Sequence, residues 1–206
     1  MYREEWWVNA RALRKQGMSY KDIGLALGMD WRTAKKLCEA EELPRQLLSV
    51  NMEGEVLSGE GYPTTETPMH LRLYRELEDI GGVVHAHPPV ATAFAVAGKP
   101  LDLHLIPEAV IFLGEVPLVP FHPPGSPELA EAIVPYLADH DAVLLENHGV
   151  LCWGSDVEQA YHRLETVEFC AQVTFTSQQL GGARELPAGP LENLLNLRRM
   201  MKGGGR

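Results

Sequence analysis

Two histidines one residue apart mark a strand end that could bind a metal ion. His85 and His87 follow the apolar run Gly82-Val83-Val84 and precede Pro88-Pro89. The β-branched run predicts a buried strand, and alternate side chains of a strand lie on the same face. Both imidazoles should therefore point the same way where the prolines end the ladder. Imidazole nitrogens are common zinc ligands, so this strand end could hold one ion from two sides.

Two further side chains could complete a metal site. Glu66 lies upstream in Thr64-Thr65-Glu66, and His148 lies downstream in Asn147-His148-Gly149. Three histidines and a carboxylate form a four-ligand set suited to zinc. Taken alone, Glu66 could instead cap the start of a helix. The other histidines are more simply interpreted as structural or orienting residues: His70, His104, His122, His140 and His162.

The elements that must position these residues alternate between strands and helices. A helix from about Thr65 should carry Glu66 and His70 on one face, since they are four residues apart. A buried strand over residues 142–145 should lead into the turn that carries His148. Such alternation is typical of an α/β or α+β layer fold.

Other segments are assigned from residues that typically begin or end helices and strands. Residues 101–119 look like strands around a turn at Gly114-Glu115, and residues 46–56 suggest a hairpin around Glu53-Gly54. A helix starting at Ser126-Pro127 should run to about Asp139. The longest helix should begin at Ser155 or Asp156. A last short helix is predicted over residues 190–201, and residues 202–206 are expected to be disordered.

The motifs, in their order, resemble the class II aldolase/adducin family over about residues 48–180. The matching segments are Thr64-Thr65-Glu66 with His70, His85-Ala86-His87-Pro88-Pro89, Val116-Pro117-Leu118-Val119-Pro120, Pro124-Gly125-Ser126 and Asn147-His148-Gly149-Val150. A His-x-His pair alone is weak evidence, whereas several motifs in the family's order are strong evidence. The resemblance implies a three-layer α/β/α fold whose central sheet is mostly antiparallel.

The resemblance also implies an activity, that of a zinc-dependent lyase of the aldolase type. His85, His87 and His148 would bind Zn²⁺, with Mn²⁺ or Co²⁺ as other divalent candidates. Glu66 would coordinate the metal while no substrate is bound, and would then serve as acid/base. Thr64 and Thr65 match positions that contact substrate phosphate. The substrate would be a small sugar phosphate or a related hydroxy-carbonyl compound, cleaved through a metal-stabilised enediolate.

Two other functions stay open. Epimerisation or decarboxylation could use the same metal site. A non-catalytic protein is the alternative from a different class, either a regulator joining DNA contacts to a sugar-sensing domain or an adducin-like interaction module. The intact histidines argue against the adducin-like version, because those relatives lack the metal ligands.

The chain departs from the family's pattern near its start. The Gly-Asn-x-Ser and Thr-x-Ser-Gly segments that bind phosphate in family aldolases do not occur before Leu48. Where a family aldolase has a tyrosine proton donor, residues 103–108 offer His104 and Glu108 instead. The metal ligands are retained, so these departures bear on phosphate affinity and turnover.

Residues 1–45 are predicted to form a separate helical segment, with the aldolase-like domain at residues 46–206. Helices broken at Gly17 and Gly28, with Asp30 capping the third, resemble the helix-turn-helix of transposases and resolvase-like proteins. The third helix would turn four polar or basic side chains to solvent, namely Arg32, Thr33, Lys35 and Lys36. Residues 1–45 hold nine Lys/Arg and seven Asp/Glu, a balance of only +2. We therefore favour a helical cap over DNA binding.

Composition predicts a soluble cytoplasmic protein. No apolar run approaches the roughly 18 residues of a membrane span, and the N-terminus lacks a signal-like pattern. Three cysteines without a Cys-x-x-Cys pair fit a reducing compartment. The overall charge of −10 makes the main body a poor partner for nucleic acid or anionic membranes. The family resemblance also implies a homotetramer with active sites at subunit boundaries.

Overall fold

The computed structural model describes residues 4–27, 31–39, 48–59, 61–101 and 104–203. The chain divides into two compact units. One comprises Met1–Val50 with Val56–Tyr62, and the other comprises Asn51–Glu55 with Pro63–Arg206. Within the described ranges, every helix is too short or too polar to cross a lipid bilayer.

The first unit contains three short helices and a two-stranded ribbon. The helices are α1 (Glu4–Lys15), α2 (Tyr20–Leu27) and α3 (Trp31–Glu39). The ribbon pairs β1 (Ser49–Val50) with β2 (Val56–Ser58) in antiparallel fashion. The predicted helical segment is therefore present, while its predicted break at Gly28 and cap at Asp30 lie outside the described residues.

The three helices share a small core of their own. Ala10, Ile23 and Ala34 are fully buried, one from each helix. The Ser19 hydroxyl accepts a hydrogen bond from the Asp22 amide at 3.2 Å, which is the geometry of a helix cap. Arg32 and Lys35 are exposed on α3, but DNA contact by this helix stays a prediction.

The second unit alternates helices and strands around one sheet. In chain order its elements are α4 (Thr67–Glu76), β3 (Gly82–Ala86), α5 (Pro89–Val96), α6 (Pro107–Phe112), β4 (Leu118–Val119), α7 (Pro127–Ala132), a 3₁₀ turn (Val134–Tyr136), β5 (Ala142–Leu145), β6 (Gly149–Gly154), α8 (Val157–Gln179) and α9 (Ala188–Gly203). The sheet order is β3-β6-β5-β4. Only the β4–β5 pair is parallel, so the prediction of a mostly antiparallel sheet is confirmed.

Alternate residues of the strands build one core on each face of this sheet. On one face, side chains of α4 and α7 pack on the strands: Met69, Leu73, Leu129 and Ile133 against Val83, Val143, Leu145, Leu151 and Trp153. On the other face α5, α6 and α8 contribute: Ala91, Phe94, Ala95, Ala109, Leu164, Val167 and Ala171 against Ala142, Leu144, Val150 and Cys152. Helices thus cover both faces, which confirms the predicted three-layer α/β/α architecture.

The prediction of strands throughout residues 101–119 is wrong in its middle. Leu101 and Val116 form an isolated antiparallel bridge, but α6 lies between them. Pro107 starts this helix at its first position, where the missing amide is not needed. Ala109, Val110 and Leu113 are buried at helical spacing, so tertiary packing overrides the β-branched composition.

Three predicted boundaries also move. The helix that carries His70 begins at Thr67, two residues later than predicted. The helix starting at Pro127 ends at Ala132 and gives way to a 3₁₀ turn that contains a proline, so it does not reach Asp139. The last helix extends to Gly203, so the disorder predicted from residue 202 is wrong for its first two residues. Residues 204–206 lie outside the described residues.

Candidate metal centre

Three imidazoles converge at one end of the sheet. His85 is in β3, His87 follows that strand, and His148 lies in the turn that joins β5 to β6. One ring nitrogen from each of the three histidines lies within 4.8 Å of the other two. The ring centroids are 4.9 Å apart for His85 and His87, and 4.7 Å apart for His85 and His148. Because β3 pairs antiparallel with β6, the turn that precedes β6 must lie beside the end of β3.

The His85 ring is fixed in an orientation suited to metal binding. Its Nδ1–H donates to the Val150 carbonyl oxygen at 2.9 Å, which leaves the Nε2 lone pair free to coordinate. The Nε2 atoms of His85 and His87 are 3.1 Å apart. Burial lowers the pKa of His85 to about 4, and burial also lowers the pKa of His148. Both rings are therefore held in the neutral form that a metal requires.

Glu66 occupies the N-cap position of α4 without capping it. Its backbone is already helical (φ −81°, ψ −5°), whereas a capping side chain needs an extended backbone, and no cap hydrogen bond forms. Its Oε2 atom is buried and has no hydrogen-bond partner among the described residues. Burial raises the pKa of Glu66, and the charge of His87 opposes that rise. The capping interpretation of Glu66 is therefore not supported.

The donor set fits a divalent cation. Buried polar atoms without a partner are costly, and two occur here among the described residues: Oε2 of Glu66 and Nδ1 of His148. Three imidazole nitrogens are ligands that zinc prefers, and the Glu66 carboxylate is near enough to His87 for their charges to interact. The structure thus brings together the three histidines for which metal binding is predicted, whereas Glu66 lies outside that cluster of ligand atoms and its role as a ligand stays a prediction.

His70 and His140 lie outside the three-histidine cluster. His70 lies on α4 one turn after Glu66 and is close enough to His85 to influence its charge, but it does not belong to the three-histidine cluster. Burial lowers the pKa of His70, which is consistent with an orienting or packing role. His140 is a structural residue, since its Nδ1 atom lies 3.0 Å from the Tyr136 carbonyl oxygen.

The Pro124-Gly125-Ser126 loop lies beside the two threonines that precede Glu66. Thr64 and Thr65 are both exposed, and the Thr64 hydroxyl oxygen lies 3.4 Å from the Glu66 amide. A methyl group added at Gly125 would lie 2.8 Å from the Thr65 carbonyl oxygen, so only glycine permits this approach. Ser126 caps α7 as predicted, because its hydroxyl accepts from the Leu129 amide at 3.2 Å.

A cavity of about 600 Å³ lies at the opposite end of β5 from His148. Its polar side includes Asp141, which precedes β5 and forms ion pairs with Arg163 at 3.5 Å and Arg198 at 2.5 Å. The Arg198 guanidinium also donates to the Ile111 carbonyl at 3.1 Å, which ties α9 to α6. These ionised groups satisfy one another, so we interpret this cluster as structural.

Two positioning features of the centre were not predicted from the sequence. Gly149 packs directly on the histidine strand: a methyl group there would lie 2.5 Å from Cδ2 of His87 and 2.6 Å from the Ala86 carbonyl oxygen. Glu146 holds the turn itself, since its carboxylate accepts from the Phe121 amide at 2.8 Å. The sequence shows that a glycine lies in this turn. It does not show that Gly149 contacts His87 or that Glu146 accepts from the Phe121 amide.

Replacing Gly149 with alanine should therefore disturb both the fold and the centre. The added methyl group has no room beside His87 and the strand backbone, so we expect a loss of about 1–3 kcal/mol in the free energy of unfolding. Metal binding should weaken as well. Gly189→Ala is the control, because nothing lies within 4 Å of a methyl group there. Equal denaturation midpoints for the two variants would contradict this prediction.

The metal-free protein should lose stability on acidification because of His85. The unfolded chain takes up a proton near the ordinary histidine pKa of 6.5, whereas the folded state resists protonation until about pH 4. The free energy of unfolding should therefore fall as the pH drops through this interval, and level off below it. Denaturant unfolding with chelator present measures this. His85→Gln should make the dependence less steep, and part of it should remain because burial also lowers the pKa values of His70 and His148. Replacing the exposed His162 by Gln should leave the dependence unchanged.

Comparison with known proteins identifies the family of this chain and several enzymes to which it is similar. The model of the class II Aldolase and Adducin N-terminal domain matches residues 27–175. A 5-deoxy-D-ribulose 1-phosphate aldolase of Bacillus thuringiensis is 36% identical over 155 residues, which cover 75% of this chain and 72% of the relative. A 3-oxo-tetronate 4-phosphate decarboxylase of Escherichia coli K12 is 35% identical over 136 residues, 64% of each chain. The structure of an L-fuculose 1-phosphate aldolase gives a TM-score of 0.64 at 29% identity, covering 71% of this chain and 69% of its own.

Proposed function

The chain belongs to the class II aldolase and adducin family, and from this premise we propose that it is a metal-dependent lyase of the aldolase type. Its substrate would be a small sugar phosphate or a related hydroxy-carbonyl compound. The observation that carries this proposal is the convergence of three imidazoles. The Glu66 carboxylate, which has an unpaired buried oxygen among the described residues and interacts electrostatically with His87, supports it. The sugar-phosphate aldolases among its relatives support the same reaction class.

His85, His87 and His148 would hold the ion, with Glu66 as the fourth ligand before substrate enters. We propose Zn²⁺, and Mn²⁺ or Co²⁺ would also suit this donor set. When bound, the ion would act as a Lewis acid that stabilises negative charge on the substrate's carbonyl oxygen. Neutral imidazoles suit this purpose because they leave the ion's charge largely uncompensated.

Glu66 would move the proton in this reaction. Cleavage requires a base to take the proton from the hydroxyl beside the breaking carbon–carbon bond, so that this carbon becomes the aldehyde. The electron pair of the bond passes toward the carbonyl of the other fragment, whose carbon then takes a proton back. Burial raises the pKa of Glu66, which makes its ionised carboxylate a stronger base.

Thr64 and Thr65 would contact the substrate's phosphate. Both are exposed beside Glu66 and precede α4, whose N-terminus favours an anion. Since the two phosphate-binding segments of family aldolases do not occur before Leu48, we propose that these threonines carry most of the remaining phosphate affinity.

Decarboxylation on the same centre is the second candidate, and the decarboxylase relative favours it. A panel assay separates the two. The purified protein, loaded with Zn²⁺, is offered ketose 1-phosphates and a phosphorylated 3-oxo acid, while aldehyde and carbon dioxide are measured. Aldehyde release from a ketose phosphate supports the lyase, and carbon dioxide alone supports the decarboxylase. If no substrate of either kind turned over, both proposals would fail.

We also propose a homotetramer in the cytoplasm, with residues 1–45 as a separate helical segment before the aldolase-like domain of residues 46–206. The family premise supports the assembly, and the acidic charge of the main body argues against a nucleic-acid or membrane partner. A DNA-binding regulator would instead bind duplex DNA in a salt-dependent way that requires residues 1–45.

A further inference from the structure

Glu168 of α8 holds the start of the helix that follows the metal-binding strand. The chain passes from His87 into α5 through Pro88-Pro89, and the N-cap residue, Pro88, supplies no side-chain cap to the helix. A proline at the first helical position has no amide hydrogen. The next two amides, of Val90 and Ala91, donate to the two carboxylate oxygens of Glu168 at 3.2 Å and 2.8 Å. The cap that the prolines cannot supply thus comes from another helix.

The Glu168 carboxylate is itself firmly placed. Its helix packs against β3 and α5, and the flanking residues Leu164, Val167 and Ala171 are buried in the core. The Gln172 side chain, one turn along, donates to Oε1 of Glu168 at 2.9 Å. A negative charge at a helix N-terminus is also favoured by the helix dipole. The start of α5 is therefore fixed to a rigid part of the fold.

His87 is the histidine of the cluster that lies nearest to the start of α5 along the chain. It is exposed, whereas His85 and His148 are partly buried. The His85 ring has its own anchor in the Val150 carbonyl. His87 lies one residue beyond the end of β3, so the path of the two prolines into α5 sets where its backbone goes.

We infer that Glu168 is a positioning residue for His87: by holding the first turn of α5, it sets where the His87 imidazole lies relative to His85 and His148. This inference rests on the proposed metal-binding function. Glu168 lies on α8, in the cap of α5, and we assign it no contact with metal or substrate. Its effect on the centre passes through the backbone of residues 88–91.

The test replaces Glu168 with glutamine in the full-length protein. An amide has one acceptor oxygen, and its NH₂ group would face one of the two backbone amides, so one hydrogen bond is lost. We expect Co²⁺ to bind the metal-free protein about tenfold more weakly, as measured by chelator competition well below the unfolding temperature. The matched control is Glu165→Gln on the same helix, since Glu165 is exposed and accepts a hydrogen bond from the Tyr161 hydroxyl at 3.0 Å.

A second readout does not depend on the metal. Imidazole nitrogen resonances of the metal-free protein should shift for His87 in Glu168→Gln and match the wild type in Glu165→Gln. A variant that loses stability but keeps the wild-type His87 signals and cobalt affinity would overturn the inference. If Glu168→Gln does not fold, Gln172→Ala decides in the same way, because it removes only the donor that orients the carboxylate. Absence of cobalt binding in the wild type would instead refute the proposed function.

Discussion

Replacing His85 with alanine is expected to abolish metal binding and the activity that depends on it. Of the three imidazoles, His85 has the best-defined orientation, through its bond to the Val150 carbonyl, and its Nε2 atom lies 3.1 Å from that of His87. Loss of an outer partner of a metal ligand weakens binding about 10–100-fold, so loss of a ligand itself should exceed that range. Metal analysis of the purified protein and Co²⁺ titration of the metal-free form measure the effect.

The control for this variant is His162→Ala. His162 is an exposed histidine on α8 and lies outside the three-histidine cluster, so its removal should leave the metal content unchanged. The comparison separates a specific site from the general affinity of histidines for divalent ions. The proposed centre would be refuted if His85→Ala kept both the metal content and the cobalt affinity of the wild type.

The convergence of the three imidazoles was largely predictable because its parts are local. The period of two along β3 puts His85 and His87 on one face, and the apolar run over residues 142–145 leads directly into the turn of His148. Periodicity alone could not show that these two strand ends meet. That required the order of the motifs along the chain, and the antiparallel pairing of β3 with β6 supplies the physical reason.

The role of Glu66 could not be decided from the sequence. An acidic residue before a helix is most simply a cap, and its distance from the histidines along the chain says nothing about contact. The structure answers the capping question, because the Glu66 backbone is helical and not extended, and its carboxylate forms no cap hydrogen bond with α4. The side chain then remains available for the imidazole cluster.

Most of the features of the centre that the sequence did not predict depend on hydrogen bonds between residues far apart in the chain. Glu168 lies 77 and 78 residues from the amides that it accepts, and Glu146 lies 25 residues from the Phe121 amide. A glutamate on a helix or in a turn is compatible with a solvent-exposed position, so no local pattern marks either contact. The α6 error has a related origin, since burial by packing partners outweighed the strand propensity of residues 107–112.

Replacing Glu66 with glutamine should remove catalysis while the metal stays bound. Three imidazoles remain as ligands, so metal content should stay close to that of the wild type. The amide cannot take up or release the proton, and loss of a general acid/base typically lowers kcat by about 10²–10⁴-fold. Steady-state assays on the best substrate of the panel, with metal analysis of the same samples, measure both quantities.

Glu78→Gln serves as the control, because Glu78 is an exposed glutamate that follows α4. It should match the wild type in kcat and metal content. The two quantities also separate the two roles proposed for Glu66. If metal and activity fell together in Glu66→Gln, the carboxylate would be mainly a ligand. If kcat matched that of the control while metal was retained, Glu66 would not be the group that moves the proton. The next residue to replace would then be the partly buried His70, which lies one turn further along α4.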